Sequence, residues 1–527
     1  MVDTNSSAAT RFAPLLSLAL GALSATGFAP LDWWPVTLVC LGAWLWLVYD
    51  ARTLRQALFR GWLFGVGQFT IGNVWIQRAF TFQDTMPHWL GYGAVLLLAL
   101  YLAVYPLLAA GFAWRLASPR SAGDVGTPPG AAFALVFGAG WAVTEWLRGT
   151  MFTGYPWNPL GIIWLPVTGV ANVAAWVGTY ALSGLTIAAA GLILPLLWRR
   201  WKPALLAIVP LALLAVVGLA NSPVPTASTA ATPRVRVVQP DLDQEERPQD
   251  DYAEMNLQAL LRLNGKPGPA PRLIVWPEGA VRFMLEDGYP PEAYWQGYAA
   301  TARRRIAALL GPSDVVLTGG NAIQFDRRGE MVSATNSVFA IDRSARILGR
   351  YDKAHLVPYG EYLPARPLLS RIGLNRLVPG DTDFIDGPGP RGLTLPAFGT
   401  IGMQICYEII FSGEVVDLAK RPAMLFNPSN DSWYGPSGPP QFLAQARLRA
   451  IEEGLPIIRS TPTGISAIIA ADGRLLATVP SDTSGAIELP MPAALPPTVF
   501  ARAGNWMVLV VAAMLMSFAI AFRRRRG

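Results

Sequence analysis

The sequence predicts a polytopic α-helical membrane bundle of about eight spans joined to an α/β domain that stands outside the membrane. Three observations predict it. The chain of 527 residues is 52% hydrophobic and 15% charged, with a mean hydropathy of +0.34, too apolar for an ordinary soluble enzyme. The apolar residues concentrate before Asn221 and again after Asn505. Between those limits the pattern changes to short β-rich runs that alternate with amphipathic helices.

The bundle comes first in the chain. A bilayer core takes roughly 20 apolar residues of helix, and candidate spans fall at residues 12–28, 36–48, 61–76, 90–114, 131–146, 175–198, 203–220 and 505–522. Any one of them also reads as a buried core helix. The set does not, because no globular domain buries so many uncharged helices.

Orientation follows from the loop cations. With the N-terminus inside, alternate loops hold Arg52, Arg55 and Arg60, then Arg115 and Arg120, then Arg199, Arg200 and Lys202, then the run Arg523 to Arg526. The opposite loops hold little beyond Arg78 and Arg148. Both termini are therefore expected in the cytoplasm and the α/β domain on the far side. The first span has no small-residue cleavage site and reads as retained. Glu145 and Arg148, one helical turn apart, read as an ion pair satisfied at the membrane edge in preference to a substrate contact. Trp33, Trp34, Trp157, Trp164 and Trp176 read as interfacial belt residues, and Thr153-Gly-Tyr-Pro-Trp-Asn158 as an irregular cap on the bundle.

The expected domains are a bundle of about seven helices over 1–220, a linker over 221–233 rich in Ser, Pro, Thr and Ala, an α/β domain over 234–492, and a last span with a basic tail over 493–527. Strands are expected at 234–238, 273–276, 315–318, 337–341, 400–406, 423–426, 456–460 and 466–470, and helices at 251–263, 291–310, 414–419 and 441–453. Such alternation argues a layered α/β domain with a buried sheet. No internal repeat is visible. The stretch 362–392, with its prolines and isolated Leu368, Leu369 and Ile372, reads as a lid that touches lipid.

Composition excludes several kinds of chemistry. Two cysteines, Cys40 and Cys406, and two histidines, His88 and His355, are too few for a disulfide framework or for a zinc or iron site. No metal or other cofactor is expected. The net charge of +7 belongs to the terminal arginine run and the short basic loops, so nucleic acid is not expected as a partner.

One cysteine stands out. Cys406 ends the apolar run Gly399-Thr-Ile-Gly-Met-Gln-Ile-Cys-Tyr-Glu408, where a turn lifts a thiol out of a sheet. Its best partners are Glu278 in Ile274-Val-Trp-Pro-Glu278 and Lys353 in Tyr351-Asp-Lys-Ala-His-Leu-Val-Pro-Tyr-Gly-Glu361. A carboxylate takes the thiol proton and returns it to a leaving group. A lysine balances the charge of a tetrahedral intermediate, and the N–H groups from Tyr407 onward supply an oxyanion hole. Singly, a buried apolar thiol, a turn-capping glutamate and a solvated lysine are the better readings. Jointly they favour chemistry, because each falls at or just beyond a strand end, where open α/β sheets place their sites.

These three segments resemble the Glu-Lys-Cys signature of the nitrilase, or carbon–nitrogen hydrolase, superfamily. With spans on both sides, the whole chain resembles the apolipoprotein N-acyltransferases, the membrane-embedded branch of that superfamily. Further segments carry the likeness: Gly27-Phe-Ala-Pro-Leu-Asp-Trp-Trp-Pro35, Thr144-Glu-Trp-Leu-Arg-Gly149, Thr153-Gly-Tyr-Pro-Trp157, Asn430-Asp-Ser-Trp-Tyr-Gly435 and Arg502-Ala-Gly-Asn-Trp506. The resemblance implies an αββα sandwich, a bacterial inner-membrane location with the domain in the periplasm, and a monomeric enzyme. It implies ping-pong transfer of an acyl chain from a membrane glycerophospholipid to the α-amine of an S-diacylglyceryl cysteine at a lipoprotein N-terminus. It makes Glu278 the general base, Lys353 the stabilising lysine and Cys406 the nucleophile, with Glu361, Tyr407, Glu408 and Asn336 in support. Glu361 is expected to position Lys353, Glu408 to brace the turn, and Asn336 to hydrogen-bond near the site. One departure concerns substrate contacts: 241–249 lacks the tryptophan that the family can carry there. His355 reads as structural, and Trp433 as site wall or core. A membrane-anchored amidase acting on a small amide is the alternative, though one anchor would suffice for it. A transporter or scaffold is less favoured, since the spans hold few ionisable groups.

Overall fold

The computed structural model describes residues 8–82, 87–118, 129–199, 201–220, 231–242, 249–294, 297–369, 371 and 383–524. Most of the linker (221–230), the middle of the lid stretch (370 and 372–382), most of the stretch without tryptophan (243–248) and the last residues of the basic tail lie outside them. The chain divides into two compact units, Met1–Gln77 with Trp89–Pro223 and Pro497–Gly527, and Arg78–His88 with Val224–Pro496.

The first unit is helical. Helices occur within all eight candidate stretches, among them Trp34–Tyr49, Leu54–Gly72, Ala131–Thr150, Thr179–Ile193, Trp201–Ala220 and Trp506–Arg524. Thr53 caps the second of these, its hydroxyl accepting the Gln56 N–H. The bundle packs through small residues and flat rings. A Cβ added at Gly138 or at Gly184 would lie 2.5 Å from the other glycine's carbonyl oxygen, so these two helices touch backbone to backbone. Trp44 is fully buried and stacks on Phe64 at 4.0 Å. Among the described residues three helical runs are long and apolar enough to cross a bilayer unaided: Leu90–Ala117, Thr179–Leu197 and Trp506–Arg523. Glu145 and Arg148 form a 3.6 Å ion pair. Both side chains are buried within the protein, and Arg148 also donates to the carbonyls of Tyr155 and Trp157 at 2.8 Å.

The second unit holds two six-stranded sheets. The first runs β12-β1-β2-β3-β4-β5, with β1 Arg234–Gln239, β2 Arg272–Val275, β3 Val315–Phe325, β4 Met331–Asp342, β5 Ile347–Asp352 and β12 Gly485–Pro490. The second runs β11-β10-β9-β8-β7-β6, with β6 Gly392–Leu395, β7 Gly399–Met403, β8 Met424–Pro428, β9 Ile457–Ser460, β10 Ser466–Ile469 and β11 Leu475–Val479. Each sheet has three parallel strands at its heart, β1-β2-β3 and β7-β8-β9, flanked by antiparallel neighbours in the same order. This duplicated topology has no counterpart in the sequence, where no repeat is visible. The parallel hearts are buried and read as unbroken apolar runs. The helix Gln249–Leu263 covers the first sheet with Leu257 and Leu260, against Ile274, Trp276 and Phe339.

Three local expectations are corrected. The four edge strands β5, β6, β11 and β12 were not predicted, because with one side open their residues are mostly exposed or half-buried and lack the buried apolar pattern of the central strands. The helix expected at 291–310 is two pieces, Pro291–Tyr294 and Ala299–Ala307, with Gly297 at φ 124° near the break. The helix expected at 414–419 is a series of turns. Gly413 at φ 77° breaks its start, Asp417 Oδ1 accepts the Ala419 N–H, and six residues are too few to nucleate a helix unaided.

Candidate active site

Glu278, Lys353 and Cys406 each sit just past the end of a strand, whereas Asn336 lies within β4. After β2, Trp276 still donates its N–H to Leu317 O at 2.9 Å. The chain then turns through Pro277 and Glu278 to Gly279, at φ 58°. β3 passes so close that a Cβ at Gly319 would lie 2.5 Å from Gly279 N, which fixes the turn. The Glu278 carboxylate accepts Asn336 Nδ2 at 2.7 Å on Oε1 and the Asn430 N–H at 2.7 Å on Oε2.

Lys353 follows β5 and is pinned to β4 by its N–H, which donates to Asn336 O at 2.9 Å. Its side chain is 1% exposed, with Nζ 2.9 Å from Glu361 Oε1 and 3.5 Å from Glu278 Oε1. Glu361 closes a turn onto itself, Oε2 accepting the Val357 N–H at 2.8 Å. Asn336 Nδ2 also donates to Glu361 Oε1 at 3.0 Å, so one amide ties both carboxylates together. One ammonium is thus shared by two carboxylates in a buried site.

Cys406 lies beyond β7, which ends at Met403 rather than running to the thiol as expected. It opens the single turn Cys406–Ile410 at φ 51°. That conformation costs a non-glycine residue about 1–3 kcal/mol and points the side chain away from the strand, as in a nucleophile elbow. Glu408 holds the elbow. Its Oε2 accepts the Ile405 N–H at 2.5 Å, and its Oε1 accepts Ala354 N–H at 2.6 Å, His355 N–H at 3.1 Å and Tyr351 OH at 2.8 Å. The carboxylate therefore joins the thiol's turn to the loop that bears Lys353.

Electrostatics set the resting state. Burial pushes the Cys406 thiol up to about 12, and the Glu278 charge adds to this against the pull of Lys353. Burial alone would lower the Lys353 ammonium, but Glu361 and Glu278 outweigh it and hold it above its usual range. Burial raises Glu408 to about 7 against the pull of its donors. At neutral pH the site thus rests as a thiol beside an ammonium shared by two acidic side chains. Such a thiol becomes a nucleophile only as its proton leaves for a neighbouring base.

Comparisons with known proteins place the chain in a family. Models of the apolipoprotein N-acyltransferase N-terminal domain and of the carbon-nitrogen hydrolases match residues 20–192 and 242–493. The apolipoprotein N-acyltransferase of Rhodopseudomonas palustris is 32% identical, over 97% of this chain and 96% of its own. The chain belongs to the apolipoprotein N-acyltransferase family. Family members from Bradyrhizobium diazoefficiens and Caulobacter vibrioides are 33% and 34% identical, over 97% and 98% of this chain and 94% and 95% of their own. Among solved structures, a mutant of the amidase from Nesterenkonia sp. AN1 is 15% identical with a TM-score of 0.34, over 55% of this chain and 99% of its own.

Several residues at the site had no assigned role from sequence. Ser429 Oγ lies 3.5 Å and Tyr434 OH 3.8 Å from Cys406 Sγ. Asp431 receives two bonds from Arg459 at 2.6 and 2.8 Å, and Arg459 NH1 donates to Asn427 Oδ1. The signal that could have found Ser429, Asp431 and Tyr434 is position, since Ser429 to Tyr434 follow directly on β8. Trp433 packs its half-buried ring on Phe82 at 4.6 Å, and His355 stacks on Phe411 at 3.8 Å.

Proposed function

We propose that the chain carries out the lipoprotein N-acylation of its family through a thioester on Cys406, with a membrane glycerophospholipid as acyl donor. The observation that carries this reading is similarity to apolipoprotein N-acyltransferases along nearly the whole chain, the helical part included. A free-standing amidase would not need that part, so the small-amide reading is not favoured. In the proposed cycle Glu278 takes the Cys406 proton as sulfur attacks the donor ester, and then gives it to the departing lysophospholipid oxygen. Lys353 and the Tyr407 N–H stabilise the oxyanion. Glu361 and Asn336 keep Lys353 and Glu278 in register, and Glu408 keeps the elbow in place. The acceptor α-amine then attacks the thioester, loses its proton to Glu278 and leaves as an amide.

The membrane part fits eight crossings, with both termini in the cytoplasm, the domain over 234–492 in the periplasm, and the enzyme acting as a monomer. Val510, Met514 and Phe518 on the last helix and Leu213, Val216 and Val217 on Trp201–Ala220 are exposed, as lipid-facing residues would be, which supports a membrane setting for these two helices. A periplasm-dependent reporter enzyme inserted within 221–230 should be active; a silent but folded fusion would overturn the orientation.

Intact-protein mass spectrometry after incubation with phospholipid alone tests the chemistry. We expect one added acyl mass, mapped to Cys406 and discharged by a diacylglyceryl-cysteine peptide. Folded Cys406→Ser protein that still transferred acyl chains would remove the nucleophile from this account.

A further inference from the structure

In that cycle the sulfur has Glu278 as its base and Lys353 as a neighbouring cation that offsets its charge. Sulfur carries that charge twice, as the thiol proton leaves and again when the C–S bond breaks in discharge. Two hydroxyls of one short segment, Ser429 and Tyr434, are within hydrogen-bonding reach of Sγ, at 3.5 and 3.8 Å.

Ser429 is placed for both states of the sulfur. Its one proton serves either Sγ or Asp431 Oδ1, which lies 2.9 Å away. Asp431 does not depend on that proton, because Arg459 already gives it two bonds and both side chains are fully buried. With a thiol, Ser429 accepts from S–H and donates to Asp431. With a thiolate, the hydroxyl turns and donates to sulfur. The frame behind it is rigid: Arg459 holds Asn427, whose Nδ2 donates to the carbonyls of Gln404 and Cys406 at 2.6 and 3.3 Å. The ring of contacts begins at the sulfur and ends on the same residue's carbonyl. Tyr434 closes the other side, its ring edge-on to Phe442, over which Arg459 lies at 4.3 Å. Burial raises the Tyr434 phenol, so it stays a donor at working pH.

We propose that the hydroxyls of Ser429 and Tyr434 are catalytic residues that form a two-donor sling for the Cys406 thiolate. The proposal rests on the reading of Cys406 as nucleophile. In discharge the amine nitrogen bonds to the thioester carbon and its proton passes to Glu278. The C–S electron pair returns to sulfur, where the two O–H groups receive it, and Glu278 then reprotonates the thiolate.

The test uses full-length Ser429→Ala, Tyr434→Phe and Ser429→Thr enzymes. Iodoacetamide alkylation of Cys406, followed by peptide mass across pH 7–10, should slow about tenfold at fixed pH in the first two variants. Single-turnover discharge by a diacylglyceryl-cysteine peptide should slow roughly 10- to 100-fold, the loss expected for one hydrogen bond to a charged group, with the half-saturating peptide concentration unchanged. Ser429→Thr, which keeps the hydroxyl, should restore both rates. A purely structural role would lower thermal stability and leave the alkylation profile in place. Folded variants with wild-type alkylation and discharge overturn the sling while the thioester reading stands. Acyl transfer by Cys406→Ser overturns the nucleophile and the sling together.

Discussion

Glu278 and Asp431 occupy the same place in the two sheets. Each lies three residues beyond the second parallel strand of its heart, Glu278 after Val275 of β2 and Asp431 after Pro428 of β8. Their cations differ. Asp431 has Arg459 in a two-bond clasp at 2.6 and 2.8 Å, with both side chains fully buried. Glu278 shares Lys353 with Glu361, at the longer 3.5 Å, and keeps a tenth of its side chain exposed. A carboxylate clasped by two guanidinium bonds is fixed in place and acts as a strut. A carboxylate at 3.5 Å from an ammonium that it shares with a second carboxylate is less firmly held and is the one placed at the thiol's cluster. The same topology thus yields a brace in one sheet and a base in the other, and the nature of the cation decides which.

Exchanging each carboxylate for its amide tests this most severely. Glu278→Gln should fold and lose acyl-enzyme formation by about 10²- to 10⁴-fold, the usual share of a general base. Asp431→Asn should lose about 3–5 kcal/mol of stability, because Arg459 is left buried with its charge unmet. Thermal denaturation with single-turnover acylation separates the two. If Glu278→Gln lost stability like a brace, or folded Asp431→Asn lost chemistry alone, the division of labour would be wrong.

A second test has opposite signs in its two readouts. The Glu278 charge helps to hold the Cys406 thiol up, near 12. In the wild type the thiolate share, and hence the alkylation rate, should climb tenfold per pH unit across pH 7–10 without a plateau. Removing that charge in Glu278→Gln lowers the thiol pKa, so alkylation at pH 8 should become about tenfold faster while acyl transfer falls. Slower alkylation in this variant would mean that the carboxylate activates the resting thiol.

How far the sequence exposed these features depends on where in the sheets they lie. The eight central strands were legible because burial on both faces leaves an apolar run, as in Leu273–Val275 or Ile457–Ile458. The edge strands were not. β11 begins with exposed Leu475 and Leu476, and β12 is half-buried throughout. The site divides in a similar way. Glu278, Lys353, Glu361, Cys406 and Glu408 stand inside compact motifs. Arg459 acts on Asp431 from the next strand, 28 residues on, and nothing local announces that pairing. Glu145 and Arg148 were legible as a pair through helical spacing, but their burial was not, because it depends on the carbonyls of Tyr155 and Trp157 folding back over Arg148.

The smallest expected effect falls on the tie within the first sheet's cluster. Asn336 Nδ2 donates to Glu278 Oε1 and to Glu361 Oε1, at 2.7 and 3.0 Å. Among the described residues Asp431 faces a single arginine and has no such bridging amide. Asn336→Ala removes a neutral donor but leaves Lys353 between the carboxylates, so acylation should slow severalfold and stay within about tenfold, near the low end for a bond to a charged group. A folded Asn336→Ala enzyme with wild-type acylation would show that Lys353 alone holds both carboxylates in place. The contrast between a shared ammonium and a clasping guanidinium would then be too weak to explain why only Glu278 serves as a base.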